Sequence, residues 1–294
     1  FFFFRVWSDN MSTFFFKDFG KSTKDIIEKD VPTNEQLKVN TNYNNVKLAF
    51  TGKTKGRVAE GVFEPTWNMK DYGVELKGSF KTGGEISMTG TLNDKLTKGL
   101  KLNANFVTST TGKQQKFETS AEYKYQNKAA VTAKVAFPSS TTAVKADFSA
   151  VAFRNQWAFG AALATQFNEQ MTGAPDVVSV GVQYNALTYN ASSVLHRSGA
   201  GDISGEFRYF KACGKHSVGS EMKINHSTGD IVGALALATK MDSGAVSKIV
   251  FGSNGCVGFS WKKRIDSNTN VTLGCKANTA TKQYEAGLNI EVDL

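Results

Sequence analysis

The chain has 294 residues, enough for one large domain or two ordinary ones, with 35 Lys and Arg against 26 Asp and Glu, a net charge of +9 and a pI near 9.3. A positive field of that size favours anions. A mean hydropathy of −0.29 and the lack of any run of about 20 apolar residues exclude a helical membrane protein, but not a barrel in which every second residue meets lipid.

Residues 1–10, opening on Phe1-Phe2-Phe3-Phe4, read as a leader of undetermined origin, and Met11-Ser12-Thr13 makes a more ordinary start. No basic segment followed by an apolar stretch and a small-residue cleavage site is present, which argues against a secretory signal and a bacterial outer-membrane origin. Cys213, Cys256 and Cys275 are odd in number and widely spaced, so reduced thiols are expected rather than a disulfide framework.

Residues 11–36 are read as an amphipathic helix and linker. Phe16, Phe19, Thr23, Ile26 and Ile27 share one face, with charged residues around the rest of the wheel, a break near Gly20 and Pro32 past the end. Such a stripe could lie on a membrane surface, act as a targeting helix or dock inside a barrel. Asp18, Asp25, Glu28 and Asp30 speak against targeting, and docking is the preferred reading. Its expected seat is the small-residue face Ala158, Gly160, Ala162, Ala164 of the tenth strand, with Val151 of the ninth. The alternative is that these small residues are filler.

From residue 37 to 294 the chain falls into about nineteen period-2 runs separated by Gly, Asn, Asp, Ser or Lys, from 37–44 through 72–81, 187–196 and 214–226 to 283–293. The last is typical: Tyr284, Ala286, Leu288, Ile290, Val292 and Leu294 alternate with Glu285, Gly287, Asn289, Glu291 and Asp293. One face of each run is apolar and the other polar. A soluble sandwich also alternates, yet an open meander of this length would leave exposed edges. The expected fold is therefore all-β, a transmembrane antiparallel barrel with a wet interior. Strands ~4.8 Å apart and tilted ~40° give a backbone diameter of roughly 39 Å and a lumen on the order of 25 Å.

On the wet faces, Lys134, Lys145, Arg208, Lys215, Lys223 and Lys262 are expected to charge the lumen, partly offset by Glu118, Glu122, Asp147, Glu206 and Glu221. Lys101, alternating with Leu100 and Leu102, joins them. Catalytic apparatus is not visible. Gly20-Lys21-Ser22 and Gly52-Lys53-Thr54 lack the leading glycine of a phosphate loop, no serine sits in a nucleophile elbow, and His196, His216 and His226 are dispersed. Cys213 with His216 is an isolated C-x-x-H spacing, so no metal, cofactor or enzymatic activity is expected.

Three segments carry a family resemblance. Phe16-Lys17-Asp18-Phe19-Gly20-Lys21-Ser22-Thr23-Lys24-Asp25 resembles the start of the voltage-dependent anion channels, the mitochondrial porins. Asp94-Lys95-Leu96-Thr97-Lys98-Gly99-Leu100-Lys101-Leu102 is similar to the family's Gly-Leu-Lys segment, and Val46 to Gly61 to the early hairpin of its fungal members. The resemblance implies nineteen strands with the first and last parallel, a helix inside the pore, a mitochondrial outer-membrane location, passage of ATP, ADP and small anions, and voltage-dependent closure. It makes Lys21 and Lys101 candidates for nucleotide contact.

Glu285, Gly287, Ile290 and Val292 fit the sorting pattern of mitochondrial barrel proteins, and Leu294 stands where bacterial barrels usually end on an aromatic residue. Membrane lipids, permeant anions and nucleotides, and the barrel assembly machinery are the implied partners. Association with a second copy or with other mitochondrial proteins stays open, and no nucleic-acid function is inferred. Two departures matter: Lys29-Asp30-Val31-Pro32-Thr33-Asn34 replaces the Gly-rich linker of animal members, and Gly78 stands where they often carry a lipid-facing Glu. The rival readings are the pore subunit of the outer-membrane protein translocase and a soluble β-rich binding protein. Extraction separates the latter: the chain is expected to need detergent, and folded protein recovered in plain buffer would defeat the membrane reading.

Overall fold

The computed structural model describes residues 13–29, 31–55, 58–110, 115–138, 144–167 and 175–294; the leader 1–10, Met11 and Asp30 lie outside these. A 3-10 turn, Phe16–Asp18, and the helix α1, Lys21–Glu28, precede the strands. Those are β1 (Gln36–Tyr43), β2 (Val46–Lys55), β3 (Val58–Met69), β4 (Val74–Lys81), β5 (Glu85–Asn93), β6 (Leu100–Ser109), β7 (Gln115–Tyr125), β8 (Ala129–Pro138), β9 (Val144–Arg154) and β10 (Trp157–Phe167). They continue with β11 (Pro175–Asn185), β12 (Tyr189–Ser198), β13 (Ile203–Cys213), β14 (His216–Asn225), β15 (Ile231–Lys240), β16 (Val246–Gly252), β17 (Cys256–Arg264), β18 (Thr269–Asn278) and β19 (Gln283–Asp293).

Each strand pairs antiparallel with the next, and β1 closes the sheet by running parallel to β19, with Leu37 opposite Ile290 and Val39 opposite Val292. The result is a closed nineteen-stranded barrel with one short N-terminal helix. Several expected strand edges shift for local reasons. β4 starts at Val74 because Lys70–Tyr72 forms a 3-10 turn ending on left-handed Gly73. β12 starts at Tyr189 because its carbonyl accepts the Ala186 N–H in the preceding turn.

Alternation produces a wall with its polarity reversed relative to a soluble protein. Outward side chains include Phe50, Phe159, Leu235 and Phe251, all about half exposed in the bare chain, whereas inward Arg208, Lys248 and Thr272 are only 4–6% exposed. Phe50, Phe63 and Phe80 stack on one face across β2, β3 and β4, with centroids 4.7 and 6.1 Å apart. Such cross-strand aromatic rows support the sheet while presenting hydrocarbon to lipid. Outward charges such as Arg154, Lys211 and Lys263 sit near strand ends. Gly78, in phase with Leu76 and Phe80, faces outward beside Pro65.

Phe19 and Thr23 are the largest fully buried side chains among the described residues. The core therefore lies between the N-terminal segment and the inner wall, not between sheet layers. At the outer turns glycine is demanded by geometry. Gly99 has φ +88°, and a Cβ there would fall 2.3 Å from the Lys124 carbonyl oxygen on β7. Gly99→Ala is expected to cost roughly 1–3 kcal/mol from backbone strain alone. A lowered denaturant midpoint of the detergent-refolded barrel checks this, and an unchanged midpoint would contradict it.

Candidate functional site

Among the described residues, charged side chains from many strands converge on the lumen. Its charge is distributed unevenly. On β7 and β8, Lys134 pairs with Glu118 at 3.1 Å, and Lys116 reaches the same carboxylate at 2.6 Å. Lys77 of β4 pairs with Glu64 of β3 at 2.9 Å. Strands β15 to β18, by contrast, contain no Asp or Glu, while Lys240, Lys248, Lys262 and Lys276 share the inward phase. On the adjoining strands the inward carboxylates include Glu221 of β14, opposite Ala234 of β15, and Glu285 of β19, opposite Lys276.

Residues 13–29 and 31–34 run round the inside of this wall in strand order. Lys124 of β7 donates to the Thr13 carbonyl at 2.8 Å, and both Lys124 and Lys17 stand over the Phe15 ring. Lys17 also pairs with Glu122 of β7 at 2.7 Å. Phe14 meets Phe153 of β9 edge-on at 5.0 Å, and Phe19 packs with Val151, Ala158 and Val194. Close approach is possible because Gly160 and Gly181 face Phe16 and Phe19, where a Cβ would lie 2.5 to 3.0 Å from the rings.

At Gly20 the chain turns through a left-handed conformation, φ +66°, into α1. Polar groups grip this bend from both sides. Gln183 of β11 accepts the Gly20 N–H at 2.8 Å, and Arg208 of β13 donates to the Phe19 carbonyl at 3.4 Å. Arg208 is buried and held by Glu221 at 2.6 Å and by Glu206, while Lys223 pairs with Glu221 at 2.8 Å. Neutralisation of this kind is what permits a buried guanidinium. Ile26 and Thr23 then lie on Gly219 of β14, and Val31, Pro32 and Asn34 pass over β17, β18 and β19 to reach β1. Between this belt and the wall a recess of about 580 Å³ is lined by Phe16, Lys17, Asn103, Glu118, Glu122 and Lys134, among others.

A family profile described as eukaryotic porin matches residues 13–287, nearly all of the described chain. The chain belongs to the eukaryotic porin family. The porin shares its barrel form with solved bacterial pores at low similarity. Two variants of the Rhodopseudomonas blastica porin align over 84% of this chain and 90% of theirs, at 10% identity and TM-scores of 0.44 and 0.45. The P pilus usher translocation pore PapC aligns over 82% of this chain and 58% of its own at 10% identity and a TM-score of 0.38. Among curated proteins none matches. Family and fold together make the molecule a pore for small solutes and an integral membrane protein, a channel rather than an enzyme.

The sequence-predicted residues are scattered through this porin as follows. Lys21 opens α1 with an exposed side chain 4.0 Å from Asp18, beside β12 and β13. Lys101 stands exposed on β6, opposite Glu122, so the structure does not gather the two into one site. Lys145 lies on the inward face of β9 and Lys262 on that of β17. Arg208 is not an accessible pore charge, because its carboxylate partners and the belt cover it. Lys215 leaves the wet strand face expected for it: Gly214, at φ +59°, makes the β13–β14 turn and Lys215 pairs there with Asp242.

Val151 and Ala158 are buried against Phe19, Gly160 lies under Phe16 and Phe19, and Ala162 lines the recess with Phe16. On β19 Glu285 and Gly287 point inward, Ile290 and Val292 outward. Of the inward glycines Gly160 was expected from sequence; Gln183, the pairing of Glu206 and Glu221 with Arg208, and the close approach at Gly181, Gly219, Gly274 and Gly287 were not. Glycine in a strand interior does signal close backbone approach, and that was the available clue. Arg208→Gln takes the guanidinium from Glu206, leaves Glu221 with Lys223 alone and frees the Phe19 carbonyl. Removing one partner of a buried pair is expected to cost about 3–5 kcal/mol. Denaturant unfolding in detergent measures it; a loss below 1 kcal/mol, on the order of an exposed pair, would show that the cluster is solvated.

Proposed function

We propose that this porin is a passive, weakly anion-selective and voltage-gated channel for small anions and metabolites such as ATP and ADP across the mitochondrial outer membrane. The observation that carries the anion preference is the run of four strands, β15 to β18, which bring inward lysines, the exposed Lys240 and Lys276 among them, and no Asp or Glu of their own. A cationic wall lowers the entry energy of anions, and water in the lumen screens it over about 8 Å at physiological salt, so selectivity is weak. The net charge of +9 has the same sign.

Voltage gating, the mitochondrial location and nucleotide passage rest on family membership and on the resemblance of the Gly20-Lys21 and Gly99-Leu100-Lys101 segments. Glu285, Gly287, Ile290 and Val292 would present the sorting pattern to the barrel assembly machinery before closure. Lys21, exposed on the belt, and Lys101, exposed on the wall, are transient phosphate contacts met at different points of the passage. The protein-translocase reading draws no support from a lumen already occupied by the chain's own N-terminal segment. A soluble binding protein would not turn Phe50, Phe159 and Phe251 outward.

Reversal potentials in planar bilayers under a KCl gradient are expected to favour chloride. Lys240→Gln, Lys262→Gln and Lys276→Gln together should move the permeability ratio toward unity. Cation preference in the unmodified channel would overturn the assignment. Lys21→Gln and Lys101→Gln should each weaken ATP-induced conductance shifts, and unchanged shifts in both would remove these residues from the passage.

A further inference from the structure

We infer that Gly274 and Gly287 are positioning residues of the pore: they seat the linker 31–34 on the lumen wall and so fix the N-terminal segment as an immobile part of the lining. The inference concerns the same lumen as the channel reading and rests on that reading for its consequence, but not for its geometry.

The two glycines are cross-strand partners on β18 and β19 and point inward. Neither has a positive φ, so their own backbone conformation does not call for glycine. Contact does. A Cβ on Gly274 would lie 2.4 Å from Pro32 Cδ and 2.8 Å from the Pro32 backbone N and O. A Cβ on Gly287 would lie 2.5 Å from Asn34 N, 2.6 Å from Asn34 O and 2.7 Å from Pro32 C. These are a ring and main-chain atoms, which cannot rotate aside as a side chain can. Gly258 on β17, next in the row, differs: its Cβ would meet Val31 Cγ1 at 3.4 Å, an ordinary contact.

The occupant is stiff as well as close. Pro32 fixes its own φ and restricts Val31 before it, so the linker has few alternative paths. Its far end is held at the Gly20 bend by Gln183 and Arg208. With both ends of α1 anchored, the helix cannot swing about the linker as about a flexible tether. Closure of the pore must then come from charge or wall rearrangement with the segment in place. Gly287 is also the glycine of the sorting pattern, and the seat gives it a role in the folded barrel separate from recognition.

The test places a nitroxide at Thr33→Cys in full-length protein whose three native cysteines are replaced by serine, refolded in detergent. In the otherwise native barrel the label is expected to be immobilised, against a mobile reference at Thr281→Cys in the β18–β19 turn. Gly274→Ala with Gly287→Ala should speed its rotation several-fold, and Gly258→Ala should leave it unchanged. A label at Thr33→Cys already as mobile as the reference, or one unmoved by the alanine pair, would overturn the inference. The native-background comparison decides even where the alanine pair does not refold. Label mobility reports the linker whether or not the chain conducts, so failure of the seat and failure of the channel reading are told apart.

Discussion

Inside a bilayer every backbone N–H and C=O must find its partner within the protein, and a sheet meets that demand only by closing on itself. With nineteen strands in an up-and-down order, an odd number, the first and last arrive side by side pointing the same way. The parallel pairing of β1 with β19 is therefore a consequence of the count. Parallel ladders are slightly less stable per residue, and this one spans only Gln36–Asn40 against Asn289–Asp293. The inward side chains reinforce it: Lys38 pairs with Glu291 at 2.6 Å, and Asn40 donates to Asp293 at 2.8 Å. The alternation of the last strand thus serves two surfaces, with Ile290 and Val292 toward lipid and Glu291 and Asp293 on the seam.

Closure at this size leaves an interior too wide for strand side chains to fill. The N-terminal segment supplies what packing there is, and the inner wall is shaped to receive it. Small residues occur where rings or backbone lie close, at Ala158, Gly160, Gly181, Gly219, Gly274 and Gly287. Buried polar groups occur where the chain bends, at Gln183 and Arg208. The belt follows the wall from β7 to β19, and the remaining strands face open water. Strands β15 to β18 bring inward lysines and no Asp or Glu of their own to the wall.

Much of this was legible in the sequence because period 2 reports a face directly. Leu100 against Lys101, or Tyr284 against Glu285, separates lipid from lumen without knowledge of any partner, and the apolar stripe of Phe19, Thr23 and Ile26 identifies the surface that becomes buried. Interactions that depend on register were not legible. Arg208 reads as a free lumen charge until Glu221 is known to stand opposite it and Phe19 above it. Lys215 reads as a strand residue until Gly214 is seen to turn. Gly274 and Gly287 look like weak points in their strands, and their purpose emerges only once Pro32 and Asn34 are placed over them. The unequal sharing of carboxylates between β15–β18 and the rest was present in the sequence, but a sum of charges over the whole chain conceals it.

The central claim, a closed water-filled pore of limited bore, is tested most directly by solute release from sealed liposomes carrying the purified chain. Nucleotide-sized solutes are expected to escape while polymers wider than the lumen are retained. Retention of the small solutes, or release of both classes together, would contradict the account.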